Sequence, residues 1–337
     1  MSKGVSVIVC CYNSSQRLPK TLEHLAKQIT SDELQWEVVI VNNNSQDNTS
    51  EVAVVEWNKF NVDSPLIVVD EPTPGLSAAR EKGIATSKYN YLIFCDDDNW
   101  LASDYVANAY KILKANPFLA AIGGINKGVF EVEPPKWIGS FKAAYAIDAQ
   151  GEKDFEILEG DKYVVGAGMA FSKEAYLQVR RKGFKFYLTD RIGNKLVSGG
   201  DVELCFLFKL NGYKVAFSSE LVLEHYMPSN RITKKYLTNL LHQNPYSFMV
   251  FDAYRALILD NIPKGKNTST YWRSVAIGRV ISRSKFLSRF IYHKLRGNIA
   301  FYLPIETSMI CNFYLFHHAG KVVAIVNDLQ RKLHPQV

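Results

Sequence analysis

The sequence predicts an α/β fold: a mostly parallel, doubly wound sheet with helices on both faces, followed by a mainly helical basic C-terminal region. β-branched runs alternate with helical patterns in the first part of the 337-residue chain, which is typical of β-α-β units. Polar loops follow several of these runs, where parallel strands would end. Basic residues are concentrated in the last third of the chain, where the patterns are helical.

The first strand is predicted from Val5 to Cys11, because β-branched residues dominate this run. Leu18, Leu22 and Leu25 recur at helical spacing, so a helix is expected after the polar turn that follows the strand. The same alternation predicts strands at 36–41, 65–69 and 91–95 and helices at 50–60 and 75–85.

The stretch 134–162 begins with a Pro-Pro pair and is polar, which interrupts the alternation. The run 164–171 is predicted as a strand whose glycines let another group approach the backbone closely. Asp201 suits the N-cap of a helix that runs to Leu210, before an Asn-Gly stop. The remaining predicted elements are a helix at 173–181, a polar loop at 190–195, strands at 213–217 and 221–225, and helices after residue 231.

The net charge of +7 conceals an asymmetry. Up to Asn230 there are 24 Lys and Arg residues against 29 Asp and Glu residues, whereas from Arg231 onward there are 16 against 4. A basic segment on an acidic body suits an anionic membrane, a nucleic acid or an acidic partner. A helical appendage with a solvated basic face is the alternative.

The five cysteines are scattered and lack metal-binding or CxxC spacing, so we expect reduced thiols and a cytoplasmic setting. The N-terminal residues enter a strand pattern directly, so we expect no secretory signal. We also expect no membrane-spanning segment, because no apolar run approaches the ~20 residues that span a bilayer.

Three adjacent carboxylates, Asp96, Asp97 and Asp98, follow the predicted strand 91–95. Such groups repel one another, and desolvating them without a counter-charge is costly. Mg²⁺ or Mn²⁺ would relieve that cost, although a solvated acidic turn explains the triplet alone equally well. Polar loops also follow the first two strands and would share the carboxyl edge of the sheet, where ligands bind. This convergence favours the metal site.

Five motifs, in order, resemble those of family 2 glycosyltransferases, the inverting nucleotide-sugar enzymes with a GT-A fold. The motifs are the segments 5–13, 41–49, 74–83, 94–99 with the DxD acids, and 200–204. The resemblance covers roughly residues 4–230. It implies a GT-A domain over 1–230, with a nucleotide-binding half at 1–100 and an acceptor half at 101–230. The helical basic region is then 231–337.

The resemblance implies a nucleotide site in the first half of this domain. Cys11, Tyr12 and Asn13 would lie around the base and ribose, and Asn43 would face the base edge. Arg80 could neutralise a donor phosphate, or it could form a structural salt bridge. A UDP-sugar is the favoured donor.

The resemblance also assigns the catalytic groups. Asp96 would face the ribose and donor sugar, Asp98 would bind Mn²⁺ or Mg²⁺ directly, and Asp201 would be the general base of an inverting transfer. Asp97 is placed with the nucleotide-sugar site, although it could serve only to shape the loop. His225 is a candidate second metal ligand or phosphate contact, and a structural histidine is the alternative.

Four residues are candidates for the acceptor side. Trp100 and Trp137 could stack on a sugar ring, with core packing as the alternative. Glu203 is the rival base, although a first-turn acid favoured by the helix dipole is the better explanation. Gly168 lies in the glycine-containing strand and completes the set.

The expected partners are a nucleotide-diphosphate sugar and a glycan or lipid-linked acceptor, with no nucleic acid. Basic and apolar residues interleave after residue 270, a mixture that suits an amphipathic helix at an anionic membrane. We therefore expect a cytoplasmic protein that can sit peripherally on the cytoplasmic membrane face, in polysaccharide or glycan synthesis.

Two other functions remain open. A nucleotidyltransferase of related fold would normally carry a Gly-rich basic loop after its first strand, and the segment 12–16 is not one. A non-catalytic nucleotide-sugar-binding module would not need Asp96, Asp98 and Asp201 together.

Overall fold

Strands and helices alternate along the first hundred residues of the chain, as predicted. A computed structural model describes residues 2–193, 196–263 and 265–334; Asn194 and Lys195 of the predicted polar loop, and Lys264, lie outside the described residues. The strands are β1 Ser2–Cys11, β2 Trp36–Asn42, β3 Leu66–Asp70, β4 Tyr89–Asp96, β5 Asn99–Leu101, β6 Leu119–Phe130, β7 Asp148–Ala149, β8 Phe155–Ile157, β9 Ala170–Ser172 and β10 Lys214–Met227.

The long strands run parallel, as predicted. Along the sheet the order is β3-β2-β1-β4-β9-β6-β10-β5, and β9 is a short antiparallel strand between β4 and β6. Cys10 of β1 pairs with Asp96 of β4, and Cys11 pairs with Asn42 of β2. The carboxyl ends of β1, β2 and β4 therefore meet at one edge.

The described helices fall into two groups. In the N-terminal body they are α1 Leu18–Ala26, α2 Thr49–Lys59, α3 Leu76–Thr86, α4 Tyr105–Ala115, α5 Lys173–Arg181 and α6 Gly200–Leu210. In the C-terminal region they are α7 Lys234–His242, α8 Pro245–Ile258, α9 Ser269–Ser284, α10 Leu287–Leu295, α11 Ile299–His317 and α12 Ala319–Leu333.

Both faces of the sheet are covered, as a doubly wound fold requires. Successive β1 residues point to opposite faces: Ile8 joins the core beneath α3, α5 and α6, whereas Val7 and Val9 join the core beneath α1, α2 and α4. The near-continuous apolar sequence of β1 follows from this double burial.

Three predictions of secondary structure differ from the structure. Residues 164–169 form a loop rather than a strand, and only Ala170–Ser172 pair in the sheet. The strands predicted at 213–217 and 221–225 are one irregular strand, β10. Asp201 lies inside the first turn of α6, whose N-cap is Gly199 at a φ of 119°, so the N-cap prediction was wrong.

The C-terminal helices pack on the body and on one another. α8 lies against α6, and α11 and α12 lie against α8 and α9. α11 is long and apolar enough, by length and composition alone, to cross a membrane, so the expectation that no segment reaches that length was wrong. Polar residues such as Glu306 and Asn312 divide its apolar sequence, which hid its length.

Candidate active site

A cleft of about 800 Å³ opens at the carboxyl edge of the sheet. Asp96, Asp97 and Asp98 line it from β4, Asp201 lines it from α6, and His225 lines it from β10. Since parallel strands bring their polar ends together, residues more than a hundred positions apart in sequence share this space.

Asp98 is buried and contacts the side chains of His225 and Arg231. Its Oδ1 lies 3.4 Å from Nε2 of His225, and its Oδ2 accepts a hydrogen bond of 2.7 Å from Nη1 of Arg231. Burial alone would raise the pKa of Asp98, but His225 and Arg231 hold that pKa well below its usual range. Asp98 is therefore a carboxylate at neutral pH.

Asp97 is engaged by the loop after β1. Its Oδ2 accepts hydrogen bonds from the Ser14 hydroxyl and from Arg17, the latter at 2.6 Å, and its backbone carbonyl accepts one from Thr21 at 2.9 Å. Burial, followed by the nearby Asp98 charge, raises the pKa of Asp97 despite Arg17. These contacts agree with the alternative that Asp97 shapes the loop, whereas Asp96 lines the cleft half-buried.

Arg80 is 9% exposed and lies in the cleft lining. Its Nη1 lies 3.2 Å from Oδ2 of Asp190, and its guanidinium stacks 4.8 Å from the Phe94 ring centroid. Burial alone would lower the pKa of Arg80, but Asp190, Asp96 and Asp201 raise it. Arg80 thus forms the structural salt bridge that the sequence offered as one alternative, while still lining the cleft.

Asp190 is a site residue that sequence reasoning missed. Its Oδ1 accepts a 2.7 Å hydrogen bond from the Gly200 backbone N–H, so it caps α6 while its Oδ2 faces Arg80. Its backbone is left-handed, with a φ of 54°, a conformation that Asp and Asn tolerate better than most residues. Only the loop position of an Asp before a helix hinted at this role.

Asp201 is held by backbone donors at the cleft wall. Its Oδ2 accepts a 2.6 Å hydrogen bond from Gly166, and its Oδ1 accepts one of 2.8 Å from Val202. A Cβ at Gly166 would lie 2.4 Å from Nη2 of Arg80 and 3.2 Å from Oδ2 of Asp201. Gly166 thus lets Arg80 and Asp201 approach the backbone closely, as predicted for the glycines of this segment. Gly168 is approached closely as well.

The predicted nucleotide residues separate into two groups. Cys11, Tyr12 and Asn43 line the cleft. The Asn43 amide donates to the carbonyls of Glu71 and Thr73 and accepts from Gly75, so it also fixes the loop before α3.

Asn13 lies outside the cleft lining. Its side chain accepts a 2.8 Å hydrogen bond from the Gln46 backbone N–H, and its own N–H donates to Ser45. It therefore joins the loops after β1 and β2.

The four acceptor-side candidates also lie outside the cleft lining. Trp100 stacks between His24 and Tyr226, with ring centroids 5.7 and 5.5 Å away. The rings of Trp137 and Phe141 meet edge to face at 6.3 Å. Both tryptophans thus show the packing that was their alternative.

Gly168 contacts residues of the core. Its carbonyl accepts a 2.6 Å hydrogen bond from the Tyr105 hydroxyl, and its φ is 78°. A Cβ there would lie 2.5 Å from Leu223, so it is side chains of the core that approach this glycine.

Glu203 is completely buried beneath the cleft. It accepts hydrogen bonds from the backbone N–H groups of Tyr187 and Leu188, at 2.8 and 3.0 Å, and from the Tyr254 hydroxyl at 2.8 Å. Burial raises the pKa of Glu203 to about 7. Because it does not line the cleft, it has no access to an acceptor hydroxyl.

The C-terminal region forms one wall of the cleft, which the sequence did not indicate. Arg231 and residues of α7 and α8 line it together with the acids that follow β4. Two polar side chains of this wall, Asn244 and Ser247, bond to each other or to nearby backbone, as in the 2.8 Å hydrogen bond from Ser198 N–H to Asn244. The other wall residues from α7 and α8 are Tyr236, Leu240, Leu241, Phe248 and Phe251.

Asp98 and His225 are the side chains of this cleft best suited to a metal. Across residues 2–193, 196–263 and 265–334, no three His, Cys, Asp or Glu side chains are grouped to hold an ion. Mg²⁺ and Mn²⁺ commonly use one or two protein groups together with substrate phosphates. The carboxylate and imidazole fit a metal shared with a phosphate ligand, and do not form a closed protein cage.

Comparison with known families agrees with this fold. Residues 6–180 match the model of the family described as Glycosyl transferase family 2, which is just over half of the chain. The chain therefore belongs to glycosyl transferase family 2.

Curated relatives include Glycosyltransferase GlyA of Streptococcus pneumoniae serotype 4, which is 35% identical over 107 residues, 32% of this chain and 14% of that protein. The cholesterol galactosyltransferase of Borreliella burgdorferi is 30% identical over 112 residues, 33% of this chain and 30% of that protein. The poly-beta-1,6-N-acetyl-D-glucosamine synthase of Staphylococcus epidermidis is 30% identical over 122 residues, 36% of this chain and 28% of that protein. The chain thus matches less than a third of each relative's length.

Solved structures share the fold along nearly the whole chain. The mannosyltransferase PcManGT of Pyrobaculum calidifontis, in complex with GDP-Man and Mn²⁺, has a TM-score of 0.56 at 17% identity, covering all of this chain and 89% of that one. The S. aureus TarS 1–349 complex with UDP-GlcNAc has a TM-score of 0.51 at 15% identity, covering 94% and 92%. At these identities the likeness establishes a shared GT-A-like fold.

Proposed function

We propose that this protein transfers a sugar from a nucleotide-diphosphate sugar to an acceptor hydroxyl, with inversion at the anomeric carbon. The observation that carries the proposal is the single cleft that joins the acids of β4 to Asp201 of α6. An inverting transfer needs phosphate-binding groups on one side of the sugar and a base on the other.

Asp201 is the proposed base. Two backbone N–H groups orient its carboxylate, which projects from the first turn of α6 into the cleft. The carboxylate would accept the acceptor hydroxyl proton as that oxygen attacks the anomeric carbon. Glu203, buried away from the cleft, is not available for this step.

Mn²⁺ or Mg²⁺ is the proposed cofactor, held by Asp98 and His225. When bound, such an ion supplies positive charge to the departing diphosphate. Asp96 is proposed to face the ribose and donor sugar, and Cys11, Tyr12 and Asn43 are proposed to lie on the nucleotide side. A UDP-sugar is our proposed donor, and the complexes of the structural neighbours with GDP-Man and UDP-GlcNAc support the nucleotide-sugar class.

The acceptor is proposed to be a glycan or a lipid-linked glycan of surface polysaccharide synthesis. The lipid-linked alternative is favoured by the cleft wall from α7 and α8, because its apolar residues outnumber its polar ones and Asn244 and Ser247 are already bonded. A sugar lying on such a wall would lack hydrogen-bond partners.

A peripheral position on the cytoplasmic face of a membrane is also proposed. α10 has no buried residue, and Leu287, Ile291 and Leu295 form an exposed stripe at i, i+4 and i+8. Arg289 and Arg296 lie on the side of the helix away from the stripe, and an apolar stripe with a basic opposite side favours an anionic lipid surface.

Donor hydrolysis with Mn²⁺ and with EDTA tests the catalytic proposal. We expect hydrolysis of a UDP-sugar to require the metal and to be lost in Asp98→Ala. Asp201→Asn should retain UDP binding but lose transfer by at least ~10²-fold, the usual scale for a general base. Metal-independent turnover, or full transfer by Asp201→Asn, would show the assignment to be wrong.

A further inference from the structure

Arg231 forms an ion pair with Asp98, the carboxylate that the proposed metal would bind. Its Nη1 lies 2.7 Å from Oδ2 of Asp98, while Oδ1 faces Nε2 of His225 at 3.4 Å and the Asn99 amide at 3.2 Å. Both oxygens of Asp98 therefore have partners in this structure. A divalent cation arriving at Asp98 meets a guanidinium already bound there.

The backbone of Arg231 is fixed, but its side chain is not enclosed. Its N–H donates to the Pro228 carbonyl at 2.9 Å, and its own carbonyl accepts a 3.1 Å hydrogen bond from the Tyr145 hydroxyl. The side chain is 22% exposed and lines the cleft. A rotamer change can therefore move the guanidinium within the cleft without moving the chain.

Charge decides whether Arg231 and a metal can share Asp98. A guanidinium cannot be deprotonated in a protein, so Arg231 can release the carboxylate only by moving. A divalent ion beside it would repel it. A diphosphate in the same cleft offers the guanidinium a second partner, with oxygens spaced for a bidentate contact.

We infer that Arg231 is the counter-ion of Asp98 in the donor-free protein and transfers to the donor diphosphate when metal and donor bind together. The inference rests on the proposed metal site at Asp98. It predicts that metal alone binds weakly and that nucleotide strengthens metal binding. By reciprocity, metal strengthens nucleotide binding by the same factor.

Mn²⁺ binding measured from the EPR signal of free Mn²⁺, with and without UDP, tests this exchange. In Arg231→Gln, Mn²⁺ alone should bind about tenfold more tightly, because its competitor for Asp98 is gone. The strengthening caused by UDP should fall about tenfold or more, because the diphosphate loses a cation. Arg231→Gln with unchanged Mn²⁺ affinity and unchanged strengthening by UDP would overturn the inference.

Arg17→Gln is the matched control. Arg17 lines the same cleft, is 31% exposed and lies 2.6 Å from Asp97 rather than Asp98. Its Mn²⁺ affinity should stay within about twofold of the unmodified protein. If Arg17→Gln gained as much Mn²⁺ affinity as Arg231→Gln, the gain would come from the lower positive charge of the cleft in general. That result would overturn the proposed exchange.

Two further variants keep the result interpretable. Arg231→Lys retains the charge beside Asp98, so Mn²⁺ alone should bind as weakly as before, while UDP strengthens it less because the bidentate fork is lost. Unchanged strengthening by UDP in this variant would count against the inference even if Arg231→Gln failed to fold. Asp98→Asn tests the metal site itself, and unchanged Mn²⁺ binding with UDP in that variant would refute the proposed site. If Asp98→Asn loses Mn²⁺ binding but Arg231→Gln binds Mn²⁺ like the unmodified protein, with and without UDP, only the exchange is refuted.

Discussion

At the scale of single residues, side chains of the cleft are held by partners far away in the sequence. Arg80 pairs with Asp190, 110 positions on, and Asp98 pairs with Arg231, 133 positions on. These pairs bury charge that would be costly if either member were removed. The cleft is therefore sensitive to changes that leave the proposed catalytic acids untouched.

Gly166→Ala tests this sensitivity. The new Cβ would lie 2.4 Å from Arg80 and 3.2 Å from Asp201, so both must shift. We expect transferase kcat to fall about tenfold or more, because small displacements of a base are costly to catalysis, while circular dichroism stays unchanged. Gly139→Ala, which meets nothing within 4 Å, is the control and should keep full activity. A normal kcat in Gly166→Ala would show that catalysis does not depend on the exact position of the Asp201 carboxylate.

Glu203 should make stability depend on pH. Its pKa is about 7 in the folded protein against an ordinary value of 4.5, so the folded state keeps a proton that the unfolded state has lost. The stability that Glu203 contributes should therefore be fully present below pH 4.5, and up to about 3 kcal/mol of it should be lost as the pH rises through about 7.

Urea unfolding of Glu203→Gln between pH 5 and 7.5 checks this dependence. The amide does not titrate, so the contribution of this group to the slope should vanish. Its NH₂ faces the Leu188 N–H or another donor, so the variant should also lose about 1 kcal/mol or more at low pH. A slope equal to that of the unmodified protein would exclude Glu203 as the source.

At the scale of elements, the N-terminus of α6 organises the site. Gly199 turns the chain, Asp190 caps the first turn, and Asp201 projects from that turn into the cleft. The cap is supplied from ten positions upstream, by a side chain that also neutralises Arg80. The position of the proposed base thus depends on a loop that the sequence shows only as polar.

Two substitutions of Asp190 separate its two contacts. Both substitutions remove the anion nearest to Arg80, but Asp190→Asn tolerates the left-handed backbone and can still accept from Gly200, whereas Asp190→Ala also loses the cap. We expect the alanine variant to lose about 3 kcal/mol or more and the asparagine variant clearly less. Chemical denaturation measures both; equal losses would mean that the cap contributes little.

At the scale of the whole molecule, the C-terminal region is part of the catalytic body. α8 packs on α6 and lines the cleft, and the Asp252 carboxylate of α8 holds Arg279 of α9 through hydrogen bonds of 2.7 and 3.0 Å. Core residues of α12 such as Val326 belong to the same apolar core as α6. Deleting the region to test membrane binding would therefore also expose the core.

A substitution on α10 is the sharper membrane test. Leu295 is 84% exposed, so Leu295→Ser should leave the melting temperature unchanged while reducing sedimentation with phosphatidylglycerol vesicles several-fold. Ile29→Ser, at a side chain 69% exposed on the acidic body, is the matched control and should bind vesicles normally. Equal binding by all three proteins would argue against α10 as the lipid-facing surface.

The sequence by itself determined the parallel direction of the first four long strands and the convergence of polar loops at their carboxyl ends. It did so because strand and helix periodicities are local, and because parallel strands bring their ends to one edge. The sequence also indicated Asp96, Asp98 and Asp201 as candidate site residues, and all three line the cleft. Strand β6 and helix α4, in contrast, were not predicted.

Only the tertiary structure decided which of these side chains are free and which are held. That Asp98 pairs with Arg231, that Asp190 caps α6, and that α7 and α8 line the cleft depend on contacts between distant segments. No local pattern encodes such contacts, since hydrogen bonds and ion pairs form wherever packing brings their groups within reach. For the same reason Glu203 and Trp100, both plausible from their positions in the sequence, lie in packed surroundings outside the cleft lining.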